Sequence, residues 1–373
     1  MNNNFITVVL TILIFGLIGC MIAFGVGAYK EIVNTNFSNE ATLASENQFS
    51  ILEKKEDIEV PQVVADPIDD VAGTFSQNKI TYQSSSSSKN YFYSQLDSYA
   101  KIIYDGMSAN KDNMKSGSYR LEFGDSFSDL LSKSDGQDLL GDYYQSAIEA
   151  FTYDNPDVFY LDPTKMYLNI KTTTKGSNKT YNVYISSKNN ESYLANGFYS
   201  LEQINHCQAE IEQVKNEVLN RMTGNTEKQI KHIHDYLVDN LSYDQTISGS
   251  NIYNLYGALV NKSCVCEGYA KAFKYLLDEA GIDCVIVIGT GTNTKGETEN
   301  HAWNYVAVNG SWYAVDTTWD DPVIQGGGIL LSSHKYKYYL KGLASISKDH
   351  IANGQFTSGG KIFSYPSISN TDY

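Results

Sequence analysis

The chain has 373 residues, which is enough for two domains or for one domain with appendages. Its 28 basic and 43 acidic residues give a net charge of −15, which argues against a nucleic-acid-binding protein because such proteins present basic surfaces to phosphates. The 42% hydrophobic content excludes full disorder, and 5 cysteines are too few for a disulfide scaffold. Tyrosine is unusually frequent, at 29 residues, and its rigid ring with a polar end suits wet surfaces and half-exposed cores.

The first predicted element is an apolar segment at 5–29 that contains no charged residue. It exceeds the roughly 20 residues that a helix needs to cross a bilayer, and it lacks the basic start of a signal peptide. We therefore predict a membrane anchor at residues 1–29. An alternative is lipoprotein anchoring at Cys20, because the preceding Leu17-Ile18-Gly19 resembles a bacterial lipobox.

Residues 30–89 form an acidic segment with little apolar periodicity and a serine run at 84–88. This composition is typical of a solvated, disordered linker. A long acidic spacer ahead of a folded unit favours display away from the membrane. The expected localisation is therefore the cell membrane, with a single pass and an extracellular folded part.

The folded part divides into a lead-in region at 90–200 and a larger domain at 201–373. Apolar spacing and turn residues predict helices and strands in both. The predicted helices lie at 91–107, 138–153, 200–222 and 226–241, and the predicted strands of the lead-in region at 165–173 and 179–187. Helices followed by a sheet indicate the α+β class.

A further helix is predicted to begin near Cys266. Cys266, Ala270, Phe273 and Leu277 are spaced to share one buried face, and Gly281 is a typical C-terminal stop. A thiol at a helix N-terminus lies at the positive end of the helix dipole, which favours the thiolate. Cysteine is also a common buried residue, so the position alone does not establish a reactive thiol.

Two other uses of the cysteines remain open. Cys264, Cys266, Cys284 and His301 are a candidate set of zinc ligands, although Cys-x-Cys is not the usual spacing. A disulfide between two of Cys207, Cys264 and Cys284 is the second alternative.

A β-hairpin is predicted around Asn309-Gly310, which lies between two strand-like runs. If these two residues form the whole loop, Val308 opposes Ser311, and His301 and Asp316 become diagonal neighbours on one face of the sheet. Such neighbours lie about 7–8 Å apart at the backbone, close enough for a histidine–aspartate hydrogen bond. A slip of one residue would place them on opposite faces.

A histidine held by a carboxylate acts as a general base, and a thiol at a helix start supplies a nucleophile. Cys266, His301 and Asp316 are therefore the candidate catalytic residues.

At these residues the sequence resembles the transglutaminase-like superfamily of papain-related cysteine enzymes, bacterial membrane-anchored members included. The resemblance covers about 226–350, and a lead-in resemblance is found at 150–159. Its main pieces are Val265-Cys266-Glu267-Gly268-Tyr269-Ala270, His301-Ala302-Trp303-Asn304 and Val315-Asp316-Thr317-Thr318-Trp319-Asp320-Asp321-Pro322, with Asp349-His350 downstream.

The resemblance implies a papain/transglutaminase-like core, with the catalytic cysteine on a helix N-terminus packed on an antiparallel sheet. It assigns Cys266 as nucleophile, His301 as base and Asp316 as the residue that orients the base. Cys264 stands where such members often have glycine, which raises a rival thiol. Tyr243 is a candidate oxyanion donor, and Trp303 and Trp319 are either cleft walls or core residues.

The remaining polar residues are given structural roles. The other histidines, His350 among them, are interpreted as surface or structural residues, and Asp320-Asp321 as a turn cap rather than a calcium site. No cofactor and no metal is predicted.

The predicted function is a cysteine acyl-transfer enzyme that acts on peptide or amide bonds, by protease-like hydrolysis or transglutaminase-like cross-linking. The expected partners are a protein or peptide substrate, with cell-wall or surface proteins as candidates, and the membrane, but no nucleic acid. The alternative from another class is a noncatalytic cell-surface or cell-wall binding module that retains the fold.

Overall fold

A computed structural model describes residues 90–188, 191–321, 334–354 and 360–373, together with the backbone of strands at 58–64 and 82–83. The chain divides into two compact units, 1–58 with 172–180 and 59–171 with 181–373. The second unit contains the candidate site and every feature discussed below except the turn of one hairpin.

The helices of the described residues are α1 Ser98–Ala109, α2 Lys111–Met114, α3 Ser128–Leu131, α4 Gly136–Asp154, α5 Leu201–Leu219, α6 Thr226–Asn240, α7 Leu255–Leu259, α8 Cys266–Glu279 and α9 Leu343–Ile346. The strands are β1 Ile58–Val64, β2 Tyr82–Gln83, β3 Leu121–Gly124, β4 Met166–Lys175, β5 Asn178–Ser187, β6 Ser242–Tyr243, β7 Ser263–Cys264, β8 Cys284–Thr292, β9 Thr298–Val308, β10 Ser311–Val315, β11 His350–Ala352 and β12 Tyr365–Pro366. Short 3-10 turns at Tyr93–Gln95 and Pro163–Lys165 complete the elements.

In the lead-in region the structure confirms the helix predicted at 138–153 and the predicted hairpin, whereas the helix predicted at 91–107 begins only at Ser98, after the 3-10 turn at Tyr93–Gln95. α4 ends at Asp154, directly before the Asn155-Pro156 pair, because the residue before a proline disfavours helical backbone. β4 and β5 lie in a four-stranded sheet of order β1-β4-β5-β3, and Gly176 turns between them with a φ of +68°. β1 and β2 fall within the segment predicted as a linker, and the domain boundaries at 29, 89 and 200 stay predictions.

The second four-stranded sheet has the order β10-β9-β8-β11, and its neighbouring strands are antiparallel. Ser311 pairs with Val308, so Asn309 and Gly310 form a two-residue loop, as predicted. Both loop residues have positive φ, 51° and 79°, which a type I′ turn requires.

Helix α8 begins at Cys266, as the apolar spacing predicts, and is followed by Gly281 with a φ of +73°. Asn304 of β9 fixes the helix to the sheet, because its Nδ2 donates to the carbonyl oxygen of Ala270 at 3.0 Å. A mixed fold with a cysteine-bearing helix on an antiparallel sheet confirms the α+β, papain/transglutaminase-like class.

The predicted transmembrane helix is contradicted. Within the residues that the structure describes, no helix is both long and apolar enough to cross a bilayer. The prediction of a single-pass protein with an extracellular catalytic domain was therefore wrong. The segment 5–29 and Cys20, on which it depended, lie outside the described residues.

Candidate active site

The centre of the candidate site is a buried hydrogen bond between His301 and Asp316. His301 lies in β9, and Asp316 directly follows β10. His301 Nε2 donates to Asp316 Oδ2 at 2.7 Å, and the two residues are 4% and 0% exposed. Since Nε2 is occupied in this way, Nδ1 is the ring nitrogen left to exchange a proton with a neighbouring group.

Backbone groups hold the other oxygen of Asp316. Its Oδ1 accepts hydrogen bonds from the N–H of Thr318 at 2.9 Å and of Trp319 at 3.2 Å. Burial alone would raise the pKa of Asp316, but attraction to His301 and hydrogen bonds from His301 and His350 outweigh burial and hold it well below its usual range. The carboxylate is therefore charged at neutral pH and fixed in orientation.

His350 is a further member of the site, although the sequence analysis gave it only a surface or structural role. It begins β11, where it pairs with Gly291 of β8, and it is 4% exposed. Its Nε2 lies 3.1 Å from Asp316 Oδ2, and its Nδ1 lies 2.7 Å from Asp349 Oδ1. Because both ring nitrogens face carboxylate oxygens, which only accept, both must carry a proton, so His350 is an imidazolium.

The pKa of His350 agrees with this assignment. Burial lowers it, but the hydrogen bond and the attraction to Asp316, together with Asp349, outweigh burial and raise it above its ordinary value. The sequence interpretation as a surface or structural histidine therefore missed a charged neighbour of Asp316. The available signal was the Asp349-His350 pair, which places a carboxylate beside the imidazole.

Two indole rings flank His301. The rings of Trp303 and Trp319 lie 5.9 and 5.0 Å from the His301 ring and within 21° and 30° of parallel. Trp303 is a core residue at 1% exposure, whereas Trp319 is half-buried. Gly291 permits this packing, because a Cβ there would lie 2.7 Å from Trp319 and 3.4 Å from His301.

Cys266 is the most accessible of the four described cysteines. Cys207, Cys264 and Cys284 are buried, and no disulfide joins any of these four. Burial, followed by repulsion from Cys266, raises the pKa of the rival thiol Cys264 well above its ordinary value. Of the two neighbouring thiols, Cys266 is therefore the one with solvent access and a helix N-terminus.

The potential metal ligands that lie close together are not the set of zinc ligands that the sequence suggests. In the described part of the chain, the group close enough to share an ion is His301, Asp316 and His350, not the cysteine set. These three side chains contact one another directly through the hydrogen bonds given above. Asp320 and Asp321 face different partners, His234 and Tyr269 respectively.

A second buried histidine–aspartate pair supports the segment that carries Asp316. His234 Nε2 lies 3.0 Å from Asp320 Oδ2, and both side chains are fully buried. Asp320 Oδ1 accepts from the N–H of Tyr338 at 2.8 Å, and the Tyr338 carbonyl accepts from the N–H of Asp316 at 3.2 Å. His234 is thus a structural residue, as predicted, and it holds the Asp316 segment in place.

Tyr243, the candidate oxyanion donor, lies in β6 and pairs in parallel with Cys264, two residues before Cys266. The chain therefore brings Tyr243 close to the start of α8. Its role as a donor stays a prediction.

The fold and this cluster together define a class of α+β protein with an accessible thiol at a helix start and a histidine–carboxylate pair on the adjoining sheet. Residues 212–317 match the family model of the transglutaminase-like superfamily. This segment is therefore similar to transglutaminase-like domains. It includes Cys266, His301 and Asp316 and ends before His350.

One curated relative and two solved structures give further comparisons. Kyphoscoliosis peptidase of Mus musculus is 39% identical over 67 residues, which are 16% of this chain and 10% of the relative. The chain thus matches only a tenth of that protein's length. A crystal structure of a TGase is similar with a TM-score of 0.29 and 15% identity, over 44% of this chain and 46% of the other. The periplasmic domain of TgpA from Pseudomonas aeruginosa gives a TM-score of 0.23 and 12% identity, over 43% and 73%.

Proposed function

We propose that the chain is a cysteine acyl-transfer enzyme acting on peptide or amide bonds of protein or peptide substrates, with Cys266 as nucleophile, His301 as base and Asp316 as the residue that orients the base. The observation that carries this proposal is the buried 2.7 Å hydrogen bond from His301 to Asp316. It fixes one tautomer of His301, and the transglutaminase-like match includes the helix that begins at Cys266.

In the proposed reaction the Cys266 thiol gives its proton to His301 Nδ1, and the sulfur attacks the substrate carbonyl carbon. The carbon–nitrogen bond then breaks, the departing amine takes the proton from His301, and a thioester remains on Cys266. Attack by water, deprotonated by His301, releases a carboxylic acid and the free thiol. Attack by a second amine would instead give a cross-link.

Hydrolysis is the outcome that we propose first. It is supported by the similarity to kyphoscoliosis peptidase, which covers 67 residues. Cross-linking follows the same path up to the thioester, so the nature of the acceptor distinguishes the two reactions.

The test combines thiol labelling with turnover of a mixed peptide pool. Iodoacetamide should modify Cys266 faster than the buried Cys264, as measured by mass spectrometry of the digested protein. Cys266→Ala should lower turnover by about 10³-fold or more, while the matched variant Cys264→Ala should retain most of it. Addition of dansylcadaverine distinguishes the acceptors, because cross-linking would attach this amine to the substrate.

Two results would contradict the proposal. The first is equal labelling of Cys264 and Cys266 in the folded protein, and the second is undiminished turnover in Cys266→Ala. Absence of turnover in the unaltered chain across the pool would favour a noncatalytic binding module.

A further inference from the structure

Each ring nitrogen of His350 faces a different carboxylate. Nε2 lies 3.1 Å from Asp316 Oδ2, and Nδ1 lies 2.7 Å from Asp349 Oδ1. Only one orientation of the imidazole makes both contacts, because rotation of the ring by half a turn would put carbon atoms in place of the two nitrogens. The shorter contact, with Asp349, therefore helps to fix the ring orientation in which Asp316 receives a second hydrogen bond.

The carboxylate of Asp349 is itself held on both oxygens. Oδ1 accepts from His350, and Oδ2 accepts a hydrogen bond from the Tyr338 hydroxyl group at 2.8 Å. The main chain of Asp349 is fixed as well, because its carbonyl oxygen accepts from the N–H of Thr292, the last residue of β8, at 2.8 Å. Rotation of this carboxylate would break at least one of the two side-chain hydrogen bonds.

Tyr338 reaches Asp316 by two routes. Its main-chain carbonyl oxygen accepts from the N–H of Asp316 at 3.2 Å, and its hydroxyl group acts through Asp349 and His350. The ring between these two ends is 6% exposed, and its centre lies 5.2 Å from that of the His350 ring. The hydroxyl group is therefore held in place by packing and directed at Asp349.

Solvent access distinguishes Asp349 from the other members of this cluster. Its side chain is 25% exposed, whereas those of His350 and Asp316 are fully buried. If Asp349 were shortened to alanine, a water molecule could take its place beside His350 Nδ1, and such a water is nearly as good a hydrogen-bond partner. Water would satisfy the nitrogen, but it would not hold the ring in one orientation.

We propose that Asp349 is a positioning residue for the proposed acyl-transfer reaction: it holds the His350 ring so that Nε2 faces Asp316, and the Tyr338 hydroxyl group holds Asp349. The effect passes from His350 to Asp316 and then to His301, whose Nε2 donates to the same oxygen at 2.7 Å. Without a fixed His350, that oxygen keeps only one of its two histidine partners, and the orientation of the carboxylate is less defined. The inference rests on the proposed function for its effect on turnover, and on the contacts alone for its effect on His350.

The first test measures kcat and KM of variants of the full chain with a peptide that the unaltered chain cleaves. Asp349→Ala should lower kcat by about tenfold or more and leave KM within about twofold, because the change affects the geometry of the base rather than binding of the substrate. Asp349→Asn should restore kcat to within about threefold, since the asparagine Oδ1 accepts from His350 Nδ1 in the same position.

Tyr338→Phe tests the contact that holds Asp349, because it removes one hydroxyl group and keeps the ring. It should lower kcat by about threefold, with KM unchanged. The matched control is Tyr339→Phe. The Tyr339 hydroxyl group donates to the main-chain carbonyl oxygen of Glu227 in α6 at 3.1 Å, and its removal should leave kcat unchanged.

The second test requires no turnover. It uses proton NMR of the full chain carrying Cys266→Ala and ¹⁵N-labelled histidine, in which the N–H protons of His350 are identified by their absence in His350→Gln. Asp349→Ala should make the Nε2–H proton of His350 exchange with water at least about tenfold faster, and Asp349→Asn should restore slow exchange. The slowest backbone amides should keep their rates, which a general loss of stability would raise.

Unchanged exchange of the His350 proton in Asp349→Ala would overturn the proposal, and so would unchanged kcat in an active enzyme. An equal loss of kcat in the alanine and asparagine variants would overturn it too, since it would assign the effect to charge rather than to position. Faster exchange in Asp349→Ala together with an inactive unaltered chain would contradict the proposed function alone. If Asp349→Ala does not fold, Tyr338→Phe decides by the same two measurements.

Discussion

At the scale of single residues, the distinctive feature is that one carboxylate oxygen serves two histidines. Asp316 Oδ2 lies 2.7 Å from His301 and 3.1 Å from His350. Because His350 carries a positive charge, it offsets part of the negative potential that Asp316 exerts on His301.

Replacement of His350 by glutamine should therefore alter the pH dependence of the enzyme. His350→Gln removes the positive charge beside Asp316, so the negative potential of Asp316 at the proposed base is no longer partly offset. The alkaline limb of the kcat/KM profile, measured with a peptide substrate, should therefore move to higher pH.

The control for this experiment is His206→Gln, because His206 is an exposed histidine of α5. Its pH profile should match that of the unaltered enzyme. If His350 were merely structural, His350→Gln would lower the height of the profile and leave its alkaline limb in place, which would contradict the electrostatic role.

At the scale of helices and strands, the sequence predicts those parts of the site whose structure is determined by residues close together in the chain. The Asn309-Gly310 turn fixes the register of β9 and β10, and this register places His301 and Asp316 on one face. The apolar spacing after Cys266 likewise predicts the start of α8. In both cases the deciding residues lie within one element or one tight turn.

The sequence does not predict the contacts made by short strands. β11 has three residues, and β6 and β7 have two each, so none is long enough to show an alternating pattern. β11 pairs with β8 at the edge of the sheet, although the two strands are far apart in sequence. No turn residue between them indicates this pairing. The contact of His350 with Asp316 was missed for this reason.

The close packing of Gly268, near the start of α8, against the segment before the helix can be tested by mutation. A Cβ on Gly268 would lie 2.5 Å from Cys264 Cβ and 2.8 Å from the carbonyl oxygen of Ile252. Gly268→Ala should therefore shift the start of α8, despite the gain of about 1 kcal/mol that alanine brings to a helix interior. We expect kcat/KM to fall by about tenfold or more, because small displacements of a nucleophile are costly.

The matched control is Gly106→Ala in α1, where a Cβ would lie 2.6 Å from the ring of Phe123, remote from the site in sequence. Both variants should melt at lower temperature than the unaltered chain. Equal kcat/KM for the two variants, corrected for the folded fraction by circular dichroism, would contradict a specific effect at the nucleophile helix.

At the scale of the whole molecule, the tyrosine excess has a structural explanation that composition does not provide. Many tyrosines are fully buried, and their hydroxyl groups connect separate elements. Tyr144 donates to the Met166 carbonyl at 3.0 Å, Tyr160 to that of Lys111 at 2.8 Å and Tyr193 to that of Tyr119 at 3.0 Å. Part of the tyrosine excess thus belongs to a core in which rings pack and several hydroxyls satisfy backbone carbonyls.

Buried acids make the stability of the whole chain depend on pH. Asp154, at the end of α4, accepts hydrogen bonds from the N–H of Phe92 at 3.1 Å and of Tyr93 at 2.9 Å. Burial raises its pKa to about 6, against the opposing attraction of Lys274 and these hydrogen bonds. The folded state therefore keeps a proton that the unfolded state loses near pH 4, and this contribution to stability disappears as the pH rises through 6.

Asp154→Asn should remove this dependence. In the unaltered chain, Asp154 should add about 1.4 kcal/mol to the free energy of unfolding at pH 5 relative to pH 7, and the variant should lack this increment. Urea denaturation at pH 5, 6 and 7 measures it. Asp316, whose pKa is lowered, loses its contribution only below about pH 4 and does not interfere in this window. Equal pH slopes for the two chains would contradict the raised pKa.

The sequence separations within the histidine–carboxylate cluster also imply an order of assembly during folding. His301 and Asp316 are 15 residues apart across a two-residue turn, whereas His350 is 34 residues from Asp316. Hairpins close in about 1–10 μs, and contacts across larger loops form later because more chain entropy must be lost. We therefore expect His301 and Asp316 to come into contact early in folding. The positive charge of His350 joins them only when β11 pairs with β8.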